Sequence, residues 1–140
     1  KFKDPKYIGD LINAVKIFND KEVDELVFLD ITATIEQKNP QLDIIASIAS
    51  ECFMPMSYGG GIRTVEDVRT ILSLGVEKVI LNSYGYENLE FIKIVSNLFG
   101  CQSTVVSIDV RKKLFGGYEV YTNSGKKATG IDAIKWAEKV

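Results

Sequence analysis

The sequence has 140 residues, of which 46% are hydrophobic and 26% charged, and its formal net charge is −2. That length fits one globular domain, and no apolar run approaches the roughly 18 residues that a membrane-spanning helix needs. The charge gives no general support for binding nucleic acid, and the lack of histidine excludes the commonest zinc sites. We therefore expect a reduced, cytoplasmic protein that forms a single domain over residues 1–140, without a metal or cofactor.

The predicted strands are four short apolar runs that are rich in β-branched residues and too short for helices. After an opening segment, residues 1–5, that is typical of a loop, the runs cover residues 25–31, 53–58, 78–82 and 103–110. Amphipathic segments separate them, and this alternation predicts a parallel sheet, either doubly wound or closed into a barrel. Because a complete (β/α)8 barrel takes about 250 residues, the strands would form roughly half of one.

The helices are predicted from residues that can cap or open a helix ahead of an apolar stripe. These residues are Asp10, Pro40, Thr64, Asn88 and Ile131, and the last helix is predicted to continue to Val140. Gly75 and Gly100 can end two of the helices. A hairpin-like insert, residues 117–122 with a second turn at 123–125, precedes the last helix.

Candidate functional residues follow from the topology, because parallel α/β folds gather functional groups where strands end. Three glycines at positions 59–61 precede a helix, so their backbone N–H groups could hold an oxyanion, or they could form a plain tight turn. Asn82 and Ser83 follow the next strand and could contact the same phosphate, or they could form a turn with local hydrogen bonds.

Two acids lie at the same predicted end of the sheet. Asp109 follows apolar residues at the mouth of its strand, where a carboxylate is suited to proton transfer, although it could also cap a helix or brace a loop. Asp30 precedes a short loop that its side chain could hold.

Other charges leave the same kind of choice open. Glu25 and Lys78 begin their strands, where a surface location is the ordinary explanation, but in a barrel they could pair on its floor. The basic residues 111–113 and 126–127 flank the insert, and they could be solvated or could meet an anionic substrate.

Taken together, these motifs resemble the cyclase subunit of imidazole glycerol phosphate synthase over essentially the whole chain. The segments that carry the resemblance are residues 23–33, 58–62, 78–83 and 124–130. The resemblance implies an incomplete (β/α)8 TIM barrel that contains about strands two to five with their helices. It also implies a cytoplasmic lyase of histidine biosynthesis, in which ammonia from a glutaminase partner reacts with a phosphorylated ribulosyl-carboxamide nucleotide. The products would be imidazole glycerol phosphate and an aminoimidazole carboxamide ribonucleotide.

The resemblance assigns a role to each candidate residue. Asp109 matches one of the family's two catalytic aspartates, and Asp30 matches a residue near the substrate. Glu25 and Lys78 match a charged gate for ammonia. One of the family's two phosphate sites matches the remaining positions, which are Gly60, Gly61, Asn82 and Ser83.

The chain also departs from the family pattern. Nothing in it matches the first strand with the other catalytic aspartate, or strands six to eight. We therefore expect the 140 residues alone to lack measurable cyclase activity and to self-associate through open barrel edges. Residues 54–58 and 84–86 look like a branch associated with surface-sugar amidation. An ammonia-delivering subunit for that reaction and a non-catalytic phosphate-binding half-barrel are the alternative functions.

Overall fold

The main sheet contains four parallel strands in chain order. A computed structural model of the protein describes residues 9–114 and 116–140. Its main sheet consists of β1 (Leu26–Leu29), β2 (Met56–Gly59), β3 (Lys78–Leu81) and β4 (Thr104–Val106). Each strand pairs in parallel with the next, from Leu26 opposite Met56 to Leu81 opposite Val106. The predicted parallel sheet is therefore confirmed.

Helices connect these strands, and their caps agree with the sequence. The described helices are α1 (Leu11–Asp20), α2 (Ala33–Glu36), α3 (Leu42–Glu51), α4 (Val65–Ser73), α5 (Ser83–Glu87), α6 (Leu89–Phe99) and α7 (Ala133–Ala137), with a 3₁₀ turn at Cys101–Ser103. Asp10 and Asn88 cap α1 and α6, and Thr64 forms the predicted capping box with Asp67. None of the described helices is long and apolar enough to cross a bilayer.

All the longer helices lie on one face of the main sheet, which decides between the two predicted architectures. Tyr58 and Val79 on the strands pack there against Ile45, Val68 and Val95 from α3, α4 and α6. A doubly wound sheet would carry helices on both faces. The fold is therefore an incomplete (β/α)8 barrel, as predicted.

The opposite face of the sheet, here called the inner face, is open among the described residues. It carries Glu25, Ser57 and Lys78 near the amino ends of the strands, because alternate residues of a strand share a face. Farther along lie apolar side chains that remain exposed: Val27 at 52%, Leu29 at 47% and Val105 at 37%. Exposed apolar area of this kind is what a closed barrel would bury in its centre.

A second, antiparallel sheet corrects the predicted fourth strand and the predicted hairpin. It contains β5 (Asp109–Lys112), β6 (Tyr118–Thr122) and β7 (Lys127–Asp132). The parallel ladder ends where the Ser107 N–H donates to the Leu81 carbonyl at 2.8 Å, since β3 offers no further partner. Asp109 pairs with Tyr121 instead. The predicted strand 103–110 is thus divided between two sheets, and the insert has three strands.

Other predicted boundaries shift by a few residues. The second strand begins at Met56 rather than Phe53, because the Phe53 N–H donates to the Asn19 side chain at 3.1 Å. The last helix begins after Ile131, which belongs to β7, and is capped by Asp132. The predicted loop at residues 1–5 lies outside the described residues.

Candidate functional site

A cavity of about 850 Å³ lies over the carboxyl ends of the parallel strands and is bordered by the turn between β6 and β7. Among the predicted basic residues, Lys126 and Lys127 line it, whereas Arg111 does not. All the predicted residues at the strand ends line this one cavity, namely Asp30, Gly60, Gly61, Asn82, Ser83 and Asp109.

The glycines at the end of β2 are required by packing, whatever their role towards a ligand. Gly60 and Gly61 have φ values of 129° and 72°, which disfavour other residues. A Cβ atom on Gly60 would lie 2.6 Å from the Asp30 carbonyl oxygen, and one on Gly61 would lie 2.6 Å from the Lys38 carbonyl oxygen. Replacing Gly61 with valine would therefore distort the loop even without ligand. A substitution at Ser83 is a better test of phosphate binding.

Ser83 is held by a contact with the antiparallel sheet. It begins α5 and is only 8% exposed, and its Oγ accepts a hydrogen bond from the Asn123 N–H at 2.9 Å. Because a hydroxyl can accept and donate at once, the Ser83 hydrogen stays available for an oxygen atom in the cavity. Sequence analysis missed Asn123 as a partner, since the two residues are 40 positions apart.

Asp30 braces the loop that follows β1. Its Oδ1 accepts hydrogen bonds from the Thr32 N–H and hydroxyl, both at 2.9 Å, and from the Ala33 N–H at 3.1 Å. Gln41 donates to Oδ2 at 3.3 Å. Burial alone would raise the pKa of Asp30, but the hydrogen bonds from Thr32, Gln41 and Ala33 together hold it below its usual value. The bracing interpretation describes this geometry, and a direct role towards a substrate stays a prediction.

Asp109 occupies a different setting from Asp30. It is half-buried at the start of β5 and lines the cavity, and Tyr121 is its partner across the antiparallel ladder. No described helix begins beside it, so it caps none of the described helices. Asp109 thus borders the cavity, and its role in proton transfer stays a prediction.

Glu25 and Lys78 form a pair at the opposite end of the parallel strands. The Lys78 Nζ atom lies 3.0 Å from each carboxylate oxygen of Glu25, and the Ser57 hydroxyl donates to Glu25 Oε1 at 2.6 Å. The hydrogen bond from Ser57 and that from Lys78 lower the pKa of Glu25. The predicted contact is thus present, whereas its role as a gate stays a prediction. Ser57 was not singled out from the sequence, although its position as a polar residue between apolar neighbours on β2 was a signal for it.

The lowered pKa of Glu25 predicts a pH dependence of stability. The ionised carboxylate stabilises the fold fully above 4.5, the ordinary pKa of a glutamate side chain, and this contribution is lost as the pH falls through the lower folded-state pKa. Glu25→Gln should therefore flatten the acid side of the stability curve below about pH 4.5. Urea unfolding midpoints of the full-length protein across this range would measure the effect. Glu51→Gln is the control, since its contact with Lys16 is long at 3.9 Å, and equal acid slopes for wild type and Glu25→Gln would contradict the prediction.

Comparisons with known proteins agree on one family. Residues 1–140 match the family model described as "Histidine biosynthesis protein". A Pseudomonas aeruginosa protein, provisionally named as a subunit of imidazole glycerol phosphate synthase, is 49% identical over 99% of this chain and 55% of its own length. The HisF subunit of that synthase from Alkaliphilus metalliredigens is 42% identical over 99% of the chain and 55% of its own length. The chain therefore spans about half the length of these curated relatives.

Proposed function

Since the chain belongs to the histidine biosynthesis protein family, we propose that it forms part of the cyclase subunit of an imidazole glycerol phosphate synthase. In this proposal, ammonia from a glutaminase subunit reacts in the cavity with a phosphorylated ribulosyl-carboxamide nucleotide. The products are imidazole glycerol phosphate and an aminoimidazole carboxamide ribonucleotide. The observation that carries the proposal is the gathering of Asp109, Ser83 and the glycines at 60–61 around one cavity.

Three cations, set among the acids Asp30, Glu87 and Asp109, line this cavity and could meet the anionic part of a substrate. Arg63 lies on the side of the glycines, and Lys126 and Lys127 lie on the side of the antiparallel sheet. Cations placed on two sides of a cleft attract a phosphorylated ligand. The available Ser83 hydrogen and the backbone around Gly61 would then hold one phosphate group through directed hydrogen bonds.

Asp109 would transfer protons during ring formation. A carboxylate can accept and return a proton when it lies within hydrogen-bond reach of the reacting group, and Asp109 borders the cavity without capping a helix. The reaction requires proton removal at one place and delivery at another. Because nothing in this chain matches the family's other catalytic aspartate, we assign turnover to the full-length protein. We expect the isolated chain to bind phosphate at most weakly.

The inner face suggests the path by which ammonia would reach the cavity. The pair of Glu25 and Lys78 lies at its amino end and the cavity at its carboxyl end, with Val27, Leu29 and Val105 exposed along the sheet. Once enclosed by the rest of a barrel, apolar walls of this kind would favour neutral ammonia over the ammonium ion. In the isolated chain the same face and the open strand edges would promote self-association.

Ser83→Ala tests the phosphate site. Loss of one hydrogen bond to an anion should weaken binding of ribose 5-phosphate by the full-length protein about tenfold, or ~1.4 kcal/mol. Isothermal titration would measure it. Ser73→Ala is the matched control, because this exposed hydroxyl only donates to the Thr70 carbonyl at the end of α4. A change within about twofold, or ~0.4 kcal/mol, for Ser83→Ala would show that the site is wrongly assigned.

A further inference from the structure

The turn between β6 and β7 has an uncommon backbone conformation. Asn123, Ser124 and Gly125 have φ values of 53°, 55° and 69°, so two residues other than glycine occupy the left-handed region in succession. Such residues are disfavoured there and persist when the surrounding structure holds them. The contacts of this turn should therefore show which residues stabilise its conformation and which residues it positions in turn.

The turn connects the antiparallel sheet to the segments that follow two of the parallel strands. The Asn123 N–H donates to Ser83 Oγ at 2.9 Å, and the Ser124 hydroxyl donates to the Ile31 carbonyl at 3.3 Å. Ser83 and Ile31 follow different parallel strands, and both line the cavity. A shift of the turn would thus change the cavity wall in two places.

Arg111 contacts this turn at Gly125. Its guanidinium group donates to the Gly125 carbonyl and lies over the Tyr121 ring, 4.3 Å from the ring centroid. Tyr121 is the cross-strand partner of Asp109. The planar guanidinium can stack on a ring and donate in its own plane at the same time, which a lysine ammonium cannot do. Arg111 does not itself line the cavity.

We propose that Arg111 is a positioning residue for the phosphate site, an inference that rests on the proposed function. By fixing the Gly125 carbonyl, Arg111 keeps the turn in the conformation that presents the Asn123 N–H to Ser83. The Ser83 oxygen is then occupied as an acceptor, and its hydrogen points to the phosphate. Arg111 thereby acts on the ligand through Ser83 rather than through its own charge.

The test is a double-mutant cycle in the full-length protein with ribose 5-phosphate as the probe. Arg111→Met should weaken binding about fivefold, and Arg111/Ser83 double replacement should bind no more weakly than Ser83→Ala alone, because residues acting through one contact are not additive. In turnover assays, Arg111→Met should raise KM by a similar factor and leave kcat within about twofold. Lys112→Met is the control, since it removes one charge from an exposed position on the same strand, and it should leave binding unchanged.

Each other outcome would overturn the inference in a recognisable way. Additive effects of the Arg111 and Ser83 changes would mean that Arg111 acts independently, and an equal loss in Lys112→Met would mean that only charge matters. If Ser83→Ala weakened binding but Arg111→Met did not, the phosphate site would stand and the role of Arg111 would be wrong. If neither change mattered, the site itself would be wrong. Should thermal melting show that Arg111→Met is unfolded, Arg111→Lys is measured instead, with an expected loss of about threefold.

Discussion

Replacing Asp109 with asparagine in the full-length protein is expected to reduce cyclase turnover with ammonium salts by a factor of about 10² to 10⁴. Asparagine keeps the size of the side chain and one acceptor oxygen, but its amide cannot exchange a proton with the substrate as a carboxylate can. Asp109 lines the cavity and caps none of the described helices, so the change removes no helix cap among them. Steady-state rates with a saturating ammonium salt would measure the loss without involving the glutaminase.

Glu87→Gln provides the control for Asp109→Asn. Glu87 also lines the cavity and its side chain is exposed, so the change removes one negative charge from the same field. We expect turnover to stay within a few-fold. An unimpaired Asp109→Asn enzyme would contradict the mechanism. A wild-type protein that bound ribose 5-phosphate but turned nothing over would favour the alternative of a non-catalytic phosphate-binding half-barrel. Ammonia-dependent amidation of a sugar carboxyl group would favour the alternative of an ammonia-delivering subunit for surface-sugar amidation.

The sequence predicted the location of the cavity better than the element that carries Asp109. The side of the sheet followed from a general property of parallel strands, so Asp30, Ser83 and Asp109 were correctly placed at one end. The extent of the fourth strand was wrong, because most of residues 103–110 are β-branched, from Thr104 to Val110. Strand propensity does not indicate where a neighbouring strand ends, and it is the end of β3 that stops the parallel ladder.

Contacts between residues far apart in the chain could not be predicted from the sequence, for a related reason. The hydrogen bond from Asn123 to Ser83 spans 40 positions and depends on a turn conformation that two non-glycine residues do not reveal. The glycines at 60 and 61 suggested an anion site, whereas the structure gives a packing reason for them in the nearby carbonyls of Asp30 and Lys38. A residue type can therefore satisfy the fold and a ligand together, and only a substitution that spares the fold separates the two.

Lys78→Ala is expected to separate the two nitrogen sources. The ammonium group of Lys78 contacts both oxygens of Glu25, whose remaining partner in this cluster is the Ser57 hydroxyl. Removing it would leave the carboxylate free to reorient at the amino end of the inner face, where the proposal places the entry of ammonia. We expect product formation from glutamine to fall about tenfold, equivalent to ~1.4 kcal/mol, relative to the glutamine hydrolysed.

Activity with ammonium salts should stay within about twofold in Lys78→Ala, because free ammonia can reach the cavity from its open carboxyl side and Asp109 is untouched. Lys93→Ala is the matched control, since it breaks a surface pair with Glu90 of 3.4 Å on α6 and should change neither activity. The ratio of product formed to glutamine hydrolysed is the decisive quantity, because an unfolding effect would lower both activities together. Equal losses with glutamine and ammonium would mean that the pair of Glu25 and Lys78 is a structural contact. The proposed entry of ammonia at the amino end of the inner face would then be wrong.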